Sequence, residues 1–357
     1  MGVSRSETRY ELDREALAAL LDDQPTYRVD QIWKGLYDEG LPIEEISTLP
    51  KSLRTELSEL LPPALFDRVV RVSEGGETHK WLWGLSDGDA VETVLMHYTD
   101  RSTVCVSSQA GCAMACGFCA TGQEGFRRHL TTGEIVEQVV RAREAAQPRR
   151  LSNVVFMGMG EPLANYDAVW GAIRRIHQDL GLSARHITMS TVGLVPGIRR
   201  MATEDLPVSL AVSLHAATDE LRTELVPING RYPIDALADA CAEYVAASGR
   251  RLSFEWALIA GVNDTHEQAV ALADLCKELR AHVNLIPLNP TPGYLTVGTD
   301  IPGVKQFQRW LTERNTNATI RRNRGTDIDA ACGQLRASQT TSGVTSVAAP
   351  IRKRTNG

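Results

Sequence analysis

Apolar positions in the first sixty residues recur at the three- and four-residue spacing of amphipathic helices. The pattern covers three segments, ELDREALAALLDD, RVDQIWKGLYDEG and SLRTELSELL. Gly40 and several prolines separate these segments, as residues that end helices do. The sequence therefore predicts a small helical N-terminal domain over residues 1–64.

Between residues 65 and 98 the apolar spacing shortens to the alternation that is typical of half-buried β-strands. The runs RVVRV, HKWLWGL and AVETVLMHY are broken by Gly75-Gly76 and Asp87-Gly88, two turn-forming pairs. This pattern predicts a short β linker, built as a meander or as a pair of hairpins.

From residue 99 onward, strand-like runs alternate with helical patterns. The six runs are TVCVSS, NVVFMG, HITMST, VSLAVSL, LSFEWALIA and HVNLIPLN. They are apolar almost throughout, as parallel strands buried on both faces are. We therefore predict an α/β domain over residues 99–336, a partial (βα)6 barrel related to the eight-stranded TIM barrel. A Rossmann sheet is the alternative, but no GxGxxG follows the first strand. Residues 337–357 are predicted to form a mobile polar tail.

Composition and charge narrow the protein's class. No apolar run in the 357 residues approaches the roughly 20 that span a bilayer, and the N-terminus is too polar for a signal peptide. We expect a cytoplasmic protein with reduced thiols and no membrane association. The net charge of −6 disfavours non-specific coating of nucleic acid. Arginine doublets are a weaker sign of a local basic patch, because most such doublets are solvated helix ends.

Three of the seven cysteines, Cys112, Cys116 and Cys119, form C-x3-C-x2-C in the loop after the first parallel strand. Folds of this class place their chemistry in such loops. Structural zinc needs four ligands, usually as two pairs, and no second CxxC or HxxxH is present. Three thiolates can instead hold three irons of a [4Fe–4S] cluster and leave the fourth iron open to a non-protein ligand. Cys241 and Cys276 lie singly in helical patterns and are expected to be inert.

The cysteine motif, with Phe118 just before its third cysteine, resembles the radical S-adenosylmethionine (SAM) superfamily. The run GMGEP after the second strand is similar to that family's glycine-rich element. The resemblance implies that a [4Fe–4S] cluster and SAM are the cofactors. It implies that Gly160 and Glu161 receive the amino group of SAM.

Residues at later strand ends resemble the superfamily's contacts to the carboxylate and ribose of SAM. These positions are Ser190, Ser213, Leu214, His215 and Asn289. The alternative interpretation of each is a helix N-cap or a turn. Their position after successive strands, in register with the cysteine motif, favours the binding role.

Within the superfamily, the chain resembles the RlmN-type ribosomal RNA methyltransferases and their Cfr-type relatives over roughly residues 10 to 336. The ordered motifs are VETVLM, CVSSQAGC, SLHA, LIPLNP and RGTDIDAACGQL. The resemblance implies that Cys332 first takes a methyl group from one SAM. A radical made from a second SAM then converts it to a methylene that adds to C2 of adenine.

The same resemblance assigns the later steps to two more residues. Cys105 attacks the sulfur of Cys332, releases the methylated RNA and leaves a Cys105–Cys332 disulfide, while Glu92 takes the proton from C2. Such a disulfide requires the two α-carbons to come within about 4.4–6.8 Å.

The resemblance also implies the partners. It points to an adenosine in 23S rRNA, in some members also one in tRNA, and to an external one-electron reductant. Arg127, Arg128, Arg321, Arg322 and Arg324 are candidates for RNA contacts near the opening, and we expect a monomer. Three alternatives stay open at this point: Cfr-type methylation of C8, a radical SAM enzyme of another class, and an iron–sulfur or zinc RNA-binding module. The ACGQL context of Cys332 argues against the second.

Overall fold

A computed structural model of the chain describes residues 7–288, residues 297–321 and Ile328. Four residues singled out from the sequence lie outside the described residues: Asn289, Arg322, Arg324 and Cys332. The predicted tail, residues 337–357, also lies outside them. The structure therefore does not test the expected distance between Cys105 and Cys332.

The N-terminal region is helical in each of the three predicted segments, which confirms the pattern. Its helices are α1 (Arg14–Leu20), α2 (Tyr27–Trp33) and α3 (Lys51–Leu60), and α2 continues as one π-helical turn over Lys34–Asp38. Asp13 begins α1, because its carboxylate accepts a hydrogen bond of 2.8 Å from the amide of Ala16. The apolar faces of the three helices are buried against one another and against the rest of the chain.

Ten strands form one mixed sheet, and two more form a separate hairpin. The strands are β1 (Phe66–Val72), β2 (Thr78–Gly84), β3 (Ala90–His97), β4 (Ser102–Cys105), β5 (Gln109–Gly111), β6 (Phe126–His129), β7 (Leu151–Phe156), β8 (Ile187–Thr191), β9 (Ser209–Ser213), β10 (Leu252–Leu258), β11 (His282–Pro287) and β12 (Ala318–Ile320). The order in the large sheet is β1-β2-β3-β4-β7-β8-β9-β10-β11-β12, and β5 pairs with β6.

All six predicted parallel strands are present as β4 and β7 to β11, which confirms the α/β prediction. In the described chain the sheet stays open between its edge strands β1 and β12, as a partial barrel does. β12, a seventh parallel strand, is only three residues long and was not predicted from the sequence. The predicted linker forms the antiparallel meander β1 to β3, and β3 pairs with β4, so it continues the same sheet.

Helices cover the sheet between its parallel strands. They are α4 (Ala120–Glu124), α5 (Thr132–Ala146), α6 (Tyr166–Gln178), α7 (Val195–Met201), α8 (Asp219–Leu225), α9 (Ile234–Ser248), α10 (His266–Leu279) and α11 (Ile301–Glu313). The five helical patterns between the predicted strands are confirmed as α5, α6, α7, α9 and α10. The patterns did not predict α4, α8 or α11. No helix in the described ranges is long and apolar enough to cross a membrane.

Strand register places a row of polar side chains on one face of the sheet. Val94 pairs with Cys105, and Cys105 pairs with Val155 on β7. Farther along, Ser213 pairs with Glu255. Paired residues, and residues two apart on one strand, share a face. The inner face of the partial barrel therefore carries the side chains listed here: Glu92, Cys105, Ser190, Ser213, Glu255 and Asn284.

Candidate active site

The cysteine loop begins at the end of β5 and ends at the start of α4. Its base is closed by hydrogen bonds from the amide of Cys112 to Gly125 O (2.9 Å) and from the amide of Cys119 to Cys116 O (3.1 Å). Gly111 has a φ of +74°, and a Cβ there would lie 1.9 Å from Gly125 O. Only glycine therefore allows the β5–β6 hairpin to close beneath the loop.

One cavity brings the motif cysteines together with most of the predicted SAM-binding residues. Its walls include Cys112, Cys116, Cys119, Gly160, Glu161, Ser190, Ser213 and His215. These residues come from the cysteine loop and from the ends of β7, β8 and β9. The cavity therefore lies at the carboxyl edge of the parallel strands, where β/α folds bind ligands.

The three thiols of the motif are buried cysteine side chains that can serve as iron ligands. Burial raises the pKa of Cys112 to about 12, and it raises the pKa of Cys116 and Cys119 as well. Among the described residues, no three side chains of His, Cys, Asp or Glu lie close enough to hold one metal ion. An iron–sulfur cluster does not need such convergence, because each thiolate binds a different iron. The donor set thus fits three irons of a [4Fe–4S] cluster.

Glu161 lines the cavity and also joins two strand ends. Its buried carboxylate accepts hydrogen bonds from the amides of Val192 (2.8 Å) and Leu163 (3.0 Å). Burial raises the pKa of Glu161 to about 7, although these donors oppose the shift. Gly160 before it has a φ of +100° and lies against Gln109, where a Cβ would approach to 2.5 Å. An ammonium group beside Glu161 would stabilise its ionised form.

His215 presents a neutral imidazole at the cavity wall. Its backbone has a φ of +60°, a left-handed conformation that is uncommon for a non-glycine residue. Nδ1 accepts a hydrogen bond from the amide of Ala257 (3.0 Å), which leaves the proton on Nε2. Burial lowers the pKa of His215 to about 3, and the charge of Arg222 lowers it further. The ring of Phe118 meets the imidazole edge-on at 4.6 Å, so the cysteine motif and the end of β9 are in contact.

Leu214 differs from its neighbours because its side chain is fully buried in the hydrophobic core. Its carbonyl oxygen accepts a hydrogen bond of 3.2 Å from Nε of Arg222. The guanidinium of Arg222 is itself buried and also donates to Val192 O (2.6 Å) and to Asn229 Oδ1 (2.8 Å). Arg222 thus holds the ends of β8 and β9 together. The sequence did not single out this residue, because its contacts are to backbone carbonyls on other elements, which no local pattern shows.

Glu255 is a cavity residue that the sequence analysis missed. Its carboxylate is buried, and Oε1 accepts hydrogen bonds from Asn284 Nδ2 (2.8 Å) and from Arg321 Nη2 (3.2 Å). Oε2 has no hydrogen-bond partner within the described part of the chain. A ligand that offers an N–H or O–H group to this oxygen would satisfy it. The available signal was a charged residue in the middle of the apolar run LSFEWALIA.

Glu92 and Cys105 lie on adjacent strands, β3 and β4, and neither is among the residues that line the cavity. Both are buried, at 4% and 7% exposure. The Glu92 carboxylate pairs with Lys80 Nζ of β2 at 2.9 Å. The hydroxyl of Ser107 donates to Glu92 O (2.6 Å), which holds the backbone of β3 against the end of β4.

The described arginines among the RNA-contact candidates have different surroundings. Arg128 is mostly buried and pairs with Glu134 at 2.7 Å and with Asp87, so it stabilises the local structure. The side chain of Arg127 is 66% exposed. Arg321 lines the cavity and contacts Glu255. Only Arg127 of these three is oriented mainly to solvent.

Comparison with known proteins agrees with this geometry. The radical SAM superfamily model matches residues 106–275. A protein of Salinispora tropica, named as a probable dual-specificity RNA methyltransferase RlmN, is 52% identical over 83% of this chain and 83% of its own length. A Parafrankia protein of the same name is 50% identical over 91% of this chain and 89% of its own length.

Among solved structures, a radical SAM methyltransferase from Sphaerobacter thermophilus matches with a TM-score of 0.91 and 47% identity. The match covers 93% of this chain and all of that protein. The solved structure shares the fold, and all three relatives match this chain over most of its length. The chain belongs to the RlmN family of radical SAM RNA methyltransferases, whose cofactors are SAM and a [4Fe–4S] cluster.

Proposed function

We propose that the protein methylates C2 of an adenosine in 23S rRNA, and of an adenosine in tRNA, consuming two SAM molecules per turnover. The observation that carries this proposal is the single cavity shared by the three motif cysteines and the strand-end residues Gly160, Ser190, Ser213 and His215. Relatives about 50% identical over most of the chain carry the name of dual-specificity RNA methyltransferases. Their name supports two kinds of RNA substrate.

The residues of the cavity form two groups, one that binds the cluster and one that binds SAM. Cys112, Cys116 and Cys119 hold the cluster. Gly160, Glu161, Ser190, Ser213 and His215 orient SAM, together with Asn289 and the backbone of Leu214. When bound, the cluster and SAM together would supply a 5′-deoxyadenosyl radical, and the oxidised cluster would supply an acceptor for the one electron that the RNA adduct releases.

Three further residues carry out the methylation of the RNA substrate. Cys332 carries a methyl group from the first SAM, and this group loses a hydrogen atom and bonds to C2. After the adduct has released one electron, Glu92 removes the proton from C2. The Cys105 thiolate then attacks the sulfur of Cys332, so that an S–S bond forms as the S–C bond breaks. The departing carbon keeps the electron pair and takes a proton to become the methyl group, and an external reductant reopens the disulfide.

The surrounding regions have supporting roles in this proposal. The helical segment 1–64 supplies contacts to RNA, the strands of 65–98 connect it to the barrel domain of residues 99–336, and Arg127 contributes positive charge beside the cysteine loop. The enzyme acts as a cytoplasmic monomer with an external one-electron donor.

Methylation of C8, the Cfr-type reaction, is not favoured, because the similar proteins of Salinispora tropica and Parafrankia carry the RlmN name.

Nucleoside mass spectrometry tests the proposal. The protein, reconstituted anaerobically with iron, sulfide and SAM, is incubated with a 23S rRNA fragment and with tRNA, and 2-methyladenosine is expected in both. Cys332→Ala should abolish the product, whereas Cys105→Ala should leave protein covalently bound to RNA on a denaturing gel. Cys276→Ala, a buried cysteine of α10, is the matched control and should retain activity. Formation of 8-methyladenosine, or methylation by Cys332→Ala, would overturn the proposal.

A further inference from the structure

The buried ion pair between Lys80 and Glu92 is not explained by the stability of the sheet. Both side chains are nearly inaccessible, with 9% and 6% of their surface exposed, and Nζ lies 2.9 Å from Oε1. Burying two charges costs about as much as their attraction returns, so such pairs stabilise a fold weakly. The flanking residues Val91, Val94 and Leu95 are almost wholly buried and apolar. The pair therefore calls for a functional explanation.

Strand register places this ion pair on the same face of the sheet as Cys105. Lys80 pairs with Val94, and Val94 pairs in turn with Cys105. Glu92 is two residues from Val94 on the same strand, so Lys80, Glu92 and Cys105 all project from one face. Thr93 projects from the opposite face, where its hydroxyl donates to Gln138 of α5. Helix α5 thus packs behind the strand that carries the pair.

We propose that Lys80 is a positioning residue that keeps the buried carboxylate of Glu92 ionised and oriented toward the face of Cys105. The inference rests on the proposed function, in which Glu92 takes the proton from C2. Burial alone favours the protonated carboxyl, and a protonated carboxyl cannot accept that proton. An ammonium group 2.9 Å from Oε1 reverses this preference, because its positive charge stabilises the ionised carboxylate. Lys80 thereby lets a buried acid serve as a base at neutral pH.

Few other ionisable groups of the described chain share this face around Glu92. From β2 the cation is Lys80, and from β4 the titratable group is the thiol of Cys105. On β1, Arg71 lies opposite Lys80 but is exposed to solvent. The short strand β5, which also packs against β3, has the sequence QAG and carries no charge. Lys80 contacts the carboxylate directly, with Nζ 2.9 Å from Oε1.

Single-turnover decay of the RNA adduct, measured as a function of pH, tests the inference. Reconstituted enzyme that carries the methyl group on Cys332 is mixed with SAM and an rRNA fragment, and covalent adduct is followed on denaturing gels from about pH 6 to about pH 9. In Lys80→Met, adduct should form but decay about tenfold to a hundredfold more slowly near pH 7, because each unit of pKa changes the ionised fraction tenfold. Its decay should approach the wild-type rate as the pH rises.

Three variants make this result specific. Lys80→Arg keeps the positive charge and should retain the wild-type profile. Lys80→Gln removes the charge but keeps a hydrogen-bond donor, so it should behave like Lys80→Met and gives a second test if the methionine variant does not fold. Arg71→Met, at the exposed cation opposite Lys80, should leave the profile unchanged.

Decay of Lys80→Met at the wild-type rate, or decay slowed equally at every pH, would overturn the role of Lys80. Both results leave the proposed function intact, because wild-type protein still forms and resolves its adduct. If wild-type protein forms no adduct and no 2-methyladenosine, the proposed function fails, and this inference fails with it.

Discussion

At the scale of single residues, His215 illustrates how burial sets the chemistry of a side chain. The imidazole lines the cavity, yet its Nδ1 is already occupied by the amide of Ala257 at 3.0 Å. The pKa of His215 is lowered to about 3 by burial and by the nearby Arg222. The ring can therefore offer a ligand the N–H group at Nε2, but it does not carry a positive charge at neutral pH.

This lowered pKa predicts a loss of stability in acid. In the unfolded chain His215 takes up a proton near pH 6.5, whereas in the folded protein it does so only near pH 3. The unfolded state thus binds more protons between these values, and the free energy of unfolding falls as the pH falls through this window. We expect the wild-type protein without cofactors to lose up to a few kcal/mol over this range.

Urea unfolding at a series of pH values measures the effect. His215→Gln keeps an acceptor for the Ala257 amide and cannot titrate, so its stability should fall less steeply below pH 6.5. His177→Gln is the control, because that histidine lies on α6 away from the cavity and should keep the wild-type slope. Equal slopes for wild type and His215→Gln would contradict the prediction.

At the scale of elements, the β5–β6 hairpin positions the cysteine loop. Two features close it: the hydrogen bond from the Cys112 amide to Gly125 O, and the absence of a side chain at Gly111. The loop itself has little regular structure before α4. The hairpin therefore determines where the three thiols stand relative to the ends of β7 and β8.

We expect Gly111→Ala to impair cluster binding severely. The new methyl group would lie 1.9 Å from Gly125 O, so the hairpin must open at a cost of about 3 kcal/mol or more. Iron and sulfide bound per chain after anaerobic reconstitution should fall severalfold.

Gly76→Ala provides the matched control for this variant. Its φ of +69° is close to the +74° of Gly111, but no atom lies within 4 Å of the added Cβ. Only the left-handed backbone conformation is then unfavourable, by about 1–2 kcal/mol. Cluster content should remain normal in Gly76→Ala, and a normal content in Gly111→Ala would refute the role of the hairpin.

At the scale of the whole molecule, the N-terminal region and the barrel share one continuous hydrophobic core. Arg175 of α6 connects them, because its guanidinium donates to the carbonyls of Tyr10 (2.9 Å), Glu11 (3.0 Å) and Leu12 (2.5 Å). It also donates to the hydroxyl of Tyr37 at 3.1 Å. The helical region is therefore attached to the barrel through α6, at a distance along the chain of more than 160 residues.

Arg175→Met should loosen this attachment. Removing the guanidinium leaves buried carbonyl groups without donors, which we expect to cost about 3 kcal/mol. Hydrogen exchange should accelerate in residues 7–40, and the urea midpoint should fall. Arg174→Met, next to it, removes an exposed pair with Glu204 and Asp205 and should cost less than about 1 kcal/mol. Equal protection of residues 7–40 in the two variants would count against the role of Arg175.

Most of the features that could be predicted follow from patterns within short stretches of consecutive residues. The helical and strand segments follow from apolar spacing, and the cysteine motif, GMGEP and SLH each lie within a few consecutive residues. Residues that close together on a loop or strand end stay together in any fold of the class. The cysteines, Gly160, Glu161, Ser190, Ser213 and His215 accordingly line one cavity. The short elements α4 and β12 escaped prediction because five and three residues hold too few apolar positions to define a period.

The sequence by itself determined the fold class and the family, and it predicted the three cysteine ligands of a [4Fe–4S] cluster, because all of these depend on local spacing. Only the tertiary structure decided which distant side chains meet. Strand register places Lys80 beside Glu92. Helix α8 positions Arg222 at the ends of β8 and β9. Arg321, directly after β12, contacts Glu255. These contacts join residues separated by 8 to 66 positions. Their free energies depend on burial and pairing, which exist only once the sheet has formed.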